Sequence, residues 1–551
     1  VRGGKAAGPA RALYPATLAF AGLLVALAVV LPYRSVPFTR ADGVKVLLPA
    51  PNRLNHTSDT WDYLQIARQM HRGCGLTSLF TYPPFLPESL PRLTPGSKRA
   101  GAVWTSCPGF PLYWRQPGFP ALIAAGFAVR GKPDPGVLLW IQGLAIVLLP
   151  LATFLLARLL VTPGWAFLAG LWTLLSPLAV SATSPFTATT WFAVLLALLT
   201  AALLAARRFL PGVGVLLGLI ALFRLETWLL LPGLLTVLWL SRTRRRPLAA
   251  ALVLLPAGLT VLPWFAHLAA ESGSFLYNTS SLLYHATRSY PDWDSSRALA
   301  VRALTPWEFL ADHPGEVLAK SGVNLLRFGR DLVLLPSPFL APFLWLAVLR
   351  LPAERRPRAF LVGGAVALLI LVLALAPLEY APRFLAGLAP LLTVGAAIGL
   401  SRFPRYRREL ATVASVIGLV LLAGTILRRE TDGTALAAAQ DLNLLMSRGE
   451  VEPLLQGDAV ALSDAPTVYA WIWERRAVWT PVSTDIDGVR KILGERAIAL
   501  FTRPGGRGDD LAPETVEEYV KRGGIASNPE PPLVVTWPGP FGPVPLRDTA
   551  P

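Results

Sequence analysis

A short segment, His56-Thr57-Ser58-Asp59-Thr60-Trp61-Asp62-Tyr63, gathers groups able to move protons. His56, Asp59, Tyr63 and Ala67 are spaced by three or four residues, so a helix would show them on one face. Asp62, three residues from Asp59, can share that face, and either carboxylate could act as a general base. A solvated amphipathic connector would have the same spacing. Further along the chain stand Arg115, Arg224 with Glu226, and the run Leu378-Glu379-Tyr380-Ala381-Pro382-Arg383. Each of these cations alone could snorkel to lipid headgroups. Gathered on one face with the carboxylates, they would make a polar site at a membrane boundary. Guanidinium groups there could hold a phosphate bidentately.

The elements that must position these groups are mostly apolar. The 551-residue chain is 53% hydrophobic and only 15% charged, where soluble domains carry about 25% charged residues. Apolar runs of about 18 or more residues recur, each long enough for a ~30 Å hydrocarbon core. The chain reads as an α-helical polytopic membrane protein with about 11 transmembrane helices. They are predicted near 14–32, 137–160, 164–183, 186–206, 210–223, 227–241, 247–269, 334–350, 359–377, 384–402 and 409–427. The stretch 210–240 is divided in two because Arg224 and Glu226 would otherwise lie at mid-bilayer, where charge is costly.

Charge then orients the chain. On one side the short loops and the amino-terminal segment hold 18 Lys and Arg against only Glu354 and Glu409, which leaves +16 of the total +17. This is the positive-inside pattern, and it needs no nucleic-acid partner. The amino terminus is expected in the cytoplasm and the carboxyl terminus outside. The first span, basic at its start and without a small-residue cleavage site after it, reads as a signal anchor. Residue usage rich in Ala, Leu, Arg and Pro and poor in Lys points to a bacterial plasma (inner) membrane. Cys74 and Cys107 fall in one outer loop, compatible with a disulfide in an oxidising compartment or with two thiols.

A membrane domain, 1–429, carries outer loops at 33–136 and 270–333, and a tail, 430–551, follows it. Ala121–Val129 is apolar but too short to span, and an amphipathic helix is predicted around Glu308–Phe328. In the tail, Asp458–Ser463 and Ala497–Phe501 read as strands, and Val489–Leu493 and Pro513–Arg522 as helical. About 120 residues suffice for a small extracytoplasmic α/β domain with its own core. The aromatics of Tyr469, Trp471, Trp473 and Trp479 could stack on a sugar or simply be core. Gly212-Val213-Gly214, without a preceding strand, is no dinucleotide loop, and Cys/His metal spacing is missing from the chain. Asn55-His56-Thr57, Asn278-Thr279-Ser280 and Arg507-Gly508-Asp509 match patterns short enough to arise by chance.

The ordered set of motifs resembles the GT-C membrane glycosyltransferases, a superfamily that includes protein mannosyltransferases and aminoarabinose lipid A transferases. Asp59-x-x-x-Tyr63-x-x-x-Ala67 resembles that family's Asp-Glu-x-x-Tyr-x-x-x-Ala stretch, and Arg115-Gln116-Pro117-Gly118-Phe119-Pro120 its later proline-rich segment. Phe223-Arg224-Leu225-Glu226 and Tyr380-Ala381-Pro382-Arg383-Phe384-Leu385 are similar to its Thr-Arg-Pro-Glu and Tyr-x-x-Arg-Tyr-Leu elements. The likeness runs over about residues 10–430. It implies inverting transfer of a sugar from a polyprenyl-phosphate-linked donor to a lipid, polysaccharide or protein acceptor on the outer side. It puts the catalytic acid on Asp59, with Asp62 as orienting neighbour or as the base itself. Arg383, with Arg224 and Arg115, would bind the donor phosphate. His56, Tyr63, Glu226 and Tyr380 would bind substrate or support the site.

Three departures bear on the mechanism. Thr60 replaces the family's second acid, Ser181–Phe186 holds no acid where many relatives place one, and Trp114 precedes Arg115 where a His is common. No obligatory cofactor is expected, although a divalent metal is possible. Two rival readings are a flippase or transporter of lipid-linked sugars and a non-catalytic cell-envelope assembly protein. A transporter would place charges deep in several spans and show two-half symmetry, neither of which is seen here.

Overall fold

A computed structural model describes residues 10–49, 59–86, 109–112, 114–176, 187–205, 209–242, 246–272, 275, 284–290, 294–298, 306–403, 406–427, 434–447, 460–481, 485–493, 498–501, 525–526 and 533–536. Each predicted span meets an apolar helix. These helices are α1 (Ala10–Val30), α4 (Val137–Arg158), α5 (Pro163–Leu174), α6 (Thr189–Ala205), α7 (Leu210–Phe223), α8 (Thr227–Ser241) and α9 (Arg246–Ser272). Then come α12 (Ala341–Leu349), α13 (Arg355–Leu375), the pair α14 (Pro382–Ala386) and α15 (Ala389–Leu400), and α16 (Arg407–Leu427). Among the described residues, five helices are by themselves long and apolar enough to cross a membrane: the first, α4, α9, α13 and α16. The chain is a multi-pass membrane protein.

One expected span and one expected outer-loop helix differ in detail. The span near 384–402 is broken: α14 ends at Ala386, and α15 starts afresh at Ala389 with Pro390 in its first turn. The expected amphipathic helix over 308–328 is also divided, into α10 (Pro306–Asp312) and α11 (Pro314–Leu334). Pro314 cannot continue a helix from His313 and opens the second one instead.

Small residues let the spanning helices approach closely. A side chain at Gly363 of α13 would meet the carbonyl oxygen of Gly233 of α8 at 2.6 Å, the close backbone approach that membrane helices use to associate. Gly218 of α7 meets α9 in the same way, at Ala257. The outward faces of α1, α9 and α16 expose Phe20, Leu255 and Val420 among many apolar side chains, as lipid-facing helices do.

Three elements outside this bundle frame the polar site. The first is α2 (Asp59–His71), with acids in its first turn and Arg68 and His71 in its last, each suited to the helix dipole. It ends in a Schellman turn: Gly73, at φ 79°, bonds Met70 O, and Cys74 N–H bonds Gln69 O at 2.9 Å. Cys74 is held in a disulfide, and Cys107 lies outside the described residues. The second element, α3 (Gly118–Arg130), contains the short apolar segment and buries Phe119, Ile123 and Phe127. The third is the tail, with α17 (Thr434–Ser447), α18 (Pro466–Trp473), α19 (Ile486–Leu493) and most of a six-stranded sheet.

The sheet runs β1–β3–β2–β4–β6–β5, built from β1 (Phe80–Thr81), β2 (Ala461–Ser463), β3 (Ala477–Trp479), β4 (Ile498–Phe501), β5 (Ile525–Ala526) and β6 (Leu533–Thr536). Its edge strand β1 comes from the first outer loop and pairs in parallel with β3, Phe80 against Ala477. Loop and tail therefore share one sheet and one core, in which Trp61, Phe80, Phe119, Tyr469 and Trp471 pack together. Tyr469, Trp471 and Trp473 are core residues. Pro513–Arg522 lies outside the described residues.

Candidate active site

The first helix of the outer loop delivers two acids to one arginine. Arg115, just before α3, donates through Nη2 to Asp59 Oδ1 and through Nε to Asp62 Oδ2 at 2.9 Å. Asp59 Oδ2 accepts a second guanidinium, Arg383 Nη1 at 2.5 Å. Arg383 is the second residue of α14, where Pro382 opens the helix after an extended Ala381. Three stretches separated by up to 324 positions thus converge on a single carboxylate.

The two acids differ in access. Asp59 keeps 14% of its side chain exposed and Asp62 only 2%, so Asp59 faces the open side and Asp62 sits behind it. Burial tends to push Asp59 up, but Arg115 and Arg383 outweigh it and hold the carboxyl at about 2. For Asp62, burial dominates over Arg115 and is reinforced by the charge of Asp59, pushing it up to about 6. Tyr82 donates to Asp62 Oδ2 at 3.4 Å, while Asp62 Oδ1 is buried without a hydrogen-bond partner.

Tyr63 supports this pair. Its ring packs edge-on against Phe119 with centroids 5.0 Å apart, and Arg115 lies over it at 5.7 Å. Arg224 occupies the break between α7 and α8. It is fully engaged there, donating to both oxygens of Glu226 at 2.6 and 3.2 Å and to Thr189 Oγ1 at 2.6 Å. Its guanidinium and that of Arg383 both stack near Phe384, at 5.6 and 5.8 Å. Arg383 commits one nitrogen to Asp59 and has 32% of its side chain exposed.

Tyr380 is placed differently from the other candidates. Its hydroxyl donates to Asp331 Oδ2 at 2.6 Å and accepts from Arg330 at 2.7 Å, both on α11. It braces α11 against the turn before α14 and has no hydrogen bond to either acid of α2. His56 lies outside the described residues.

Two participants, Asp331 and Lys320, escape a reading of the sequence. Asp331, 1% exposed, is an acid in a helix whose amphipathic pattern reads as surface. Glu379, singled out in the sequence beside Arg383, interacts with it electrostatically, and Lys320 of α11, which the sequence does not single out, interacts with Glu379. Burial pushes Glu379 up, and it lowers Lys320 to about 8. Among the described residues, no group of three or more His, Cys, Asp or Glu converges.

No protein-family profile and no curated protein sequence matches the chain. Solved structures do match in fold. ArnT from Cupriavidus metallidurans bound to undecaprenyl phosphate superposes with a TM-score of 0.59 at 13% identity, over 96% of this chain and 98% of that one. The same protein in its apo state gives 0.54 at 14% identity, with the same coverage. The archaeal oligosaccharyltransferase AglB from Archaeoglobus fulgidus, in complex with an inhibitory peptide and a dolichol-phosphate, gives 0.54 at 14% identity, over 89% of this chain and 69% of that one. At such identities the likeness is one of fold. The chain shares the fold of these proteins, and within it the acid–arginine cluster is the candidate active site.

Proposed function

We propose that the protein is a membrane glycosyltransferase that moves a sugar from a polyprenyl-phosphate-linked donor to an acceptor on the extracytoplasmic side. The observation that carries this reading is the Asp59 carboxylate held between Arg115 and Arg383 on this fold. The fold neighbours include one protein bound to undecaprenyl phosphate and one in complex with a dolichol-phosphate. The working environment is a bacterial plasma membrane, with the amino terminus cytoplasmic and the tail outside.

In this reading Asp59 takes the proton from an acceptor hydroxyl, the hydroxyl oxygen attacks the anomeric carbon, and the lipid phosphate leaves with inversion. Arg383 meets the growing charge on the departing phosphate, with Arg115 and Arg224 adding to the positive field. Asp62, almost fully buried, orients Arg115 and through it Asp59. Its pKa is better matched to neutral pH than that of Asp59. Reach to the acceptor comes first, however, and the more exposed acid has it. Without donor, Asp59 is a poor base because two guanidiniums stabilise its charge. A donor phosphate that draws Arg383 away would restore basicity at the moment it is needed.

Incubation of the purified protein with radiolabelled polyprenyl-phosphate sugars and a membrane acceptor extract tests this. Label passing from the lipid to the acceptor is the expected result. No transfer from any donor, together with carrier movement across vesicles, would replace the reading with that of a flippase.

A further inference from the structure

Asp59 and Arg68 belong to one helix but face opposite ways. Nine residues at about 100° each turn the second side chain half a revolution from the first, about 13 Å further along the axis. Arg68 is 3% exposed. Its Nη1 donates to Trp471 O at 2.8 Å and its Nη2 to Ala470 O at 2.8 Å. Its guanidinium lies 4.4 Å from the centre of the Trp471 ring. Gln65, fully buried one turn earlier, accepts from Arg68 Nη2 at 2.8 Å and donates to Thr467 O at 3.2 Å. These carbonyls line α18 of the tail, whose last ones lack intrahelical donors. The chain leaves α18 through Glu474 at φ 55°.

Burying a guanidinium is costly, and packing alone would be served by an apolar side chain. What the arginine adds is direction: a cation at the end of the α18 dipole, bonded to two fixed carbonyls and paired at 3.2 Å with Glu474 Oε1 just past the helix end. We infer that Arg68, with Gln65, is a positioning residue. It fixes the rotation and depth of α2 against the tail, and so holds the Asp59 carboxylate where Arg115 and Arg383 meet it. The tail is then part of the frame of the active site. This rests on the reading of Asp59 as the base.

The test compares full-length wild type, Arg68→Ala, Arg68→Lys, Gln65→Met, Arg72→Ala and Asp59→Asn in proteoliposomes, measuring transfer against pH. In Arg68→Ala, kcat falls by about tenfold to a hundredfold, the scale of a 1 Å misplacement. Its KM for the lipid donor changes by less than about threefold. The acid limb of its pH profile moves to higher pH, because Asp59 loses contact with its arginines. Arg68→Lys recovers part of the loss, and Gln65→Met shows a smaller version of it. Wild-type kcat and acid limb in a folded Arg68→Ala would overturn the inference. Should that variant fail to accumulate, the same wild-type values in Gln65→Met would do so. An equal loss in Arg72→Ala, which removes the outer of the two bridges to Glu474 and leaves that of Arg68 in place, would also overturn it. Full transfer by Asp59→Asn would instead remove the base reading itself. An inactive Asp59→Asn beside a normal Arg68→Ala removes the positioning role alone.

Discussion

Asp59 and Asp62 share the guanidinium of Arg115, yet their carboxyls are displaced in opposite directions, to about 2 and about 6. Arg383 reaches only the outer of the two, and burial is nearly complete only for the inner. The arginine pairing favours charge on Asp59, and burial disfavours it on Asp62.

Stability should register both displacements. Asp62 in the folded protein holds its proton above the ordinary value of 3.8, so stability falls as pH rises from there through about 6. The upward shift of Glu379 adds to that fall. Asp59 acts in the other direction, giving stability present above 3.8 and lost as pH drops toward about 2. The unfolding temperature in detergent is therefore expected to decline across the mildly acidic range, and Asp62→Asn to flatten the decline. An unchanged slope in that variant would count against the assignment.

Kinetics should separate free from donor-bound enzyme. The acid limb of kcat/KM reports the free protein and that of kcat the complex. If donor phosphate draws Arg383 from Asp59, the limb of kcat lies at higher pH than that of kcat/KM. Asp62→Asn is the background in which to measure this, because it removes the second titration. Coincident limbs would mean that Arg383 stays on Asp59 throughout.

Arg383 and Arg224 are expected to behave differently. Arg383→Ala should lower kcat/KM for the lipid donor by about 10²–10³, the scale of losing one charge-stabilising donor. Arg224 spends its nitrogens on Glu226 and Thr189, so Arg224→Ala should lower the unfolding temperature and reduce kcat/KM for the donor by less than Arg383→Ala does. Steady-state kinetics and thermal unfolding on the same preparations check both.

Gly118 carries a packing prediction. A Cβ there would stand 2.7 Å from the carbonyl oxygen of Leu222 and from the Phe223 ring, at the end of α7. Gly118→Ala should push α3 and the adjoining Arg115 outward, costing about 1–3 kcal/mol as overpacking does and lowering kcat. A neutral outcome in both thermal unfolding and transfer would show that the contact relaxes freely.

Much of this was legible in the sequence, and the reasons differ by element. Apolar runs mark spans because lipid leaves few alternatives, and the charges of Arg224 and Glu226 located the break between α7 and α8. The meeting of Asp59, Arg115 and Arg383 followed from the order of the motifs; no local pattern records a pairing across 324 positions. The attachment of β1 to the tail sheet was not legible, because Phe80-Thr81 is too short to read as a strand. The partner of Tyr380 was missed because Asp331 looks like one more polar residue on a surface helix. Gln65 and Arg68 resemble the solvated side of an amphipathic helix until α18 covers them.

The central claim is that Asp59 removes the acceptor proton, and Asp59→Asn tests it most directly. In a properly inserted variant, label transfer from the polyprenyl-phosphate sugar should fall by about 10²–10⁴ in kcat. The donor KM should stay level or drop, since Arg383 is released to the phosphate. Wild-type turnover by that variant would contradict the account.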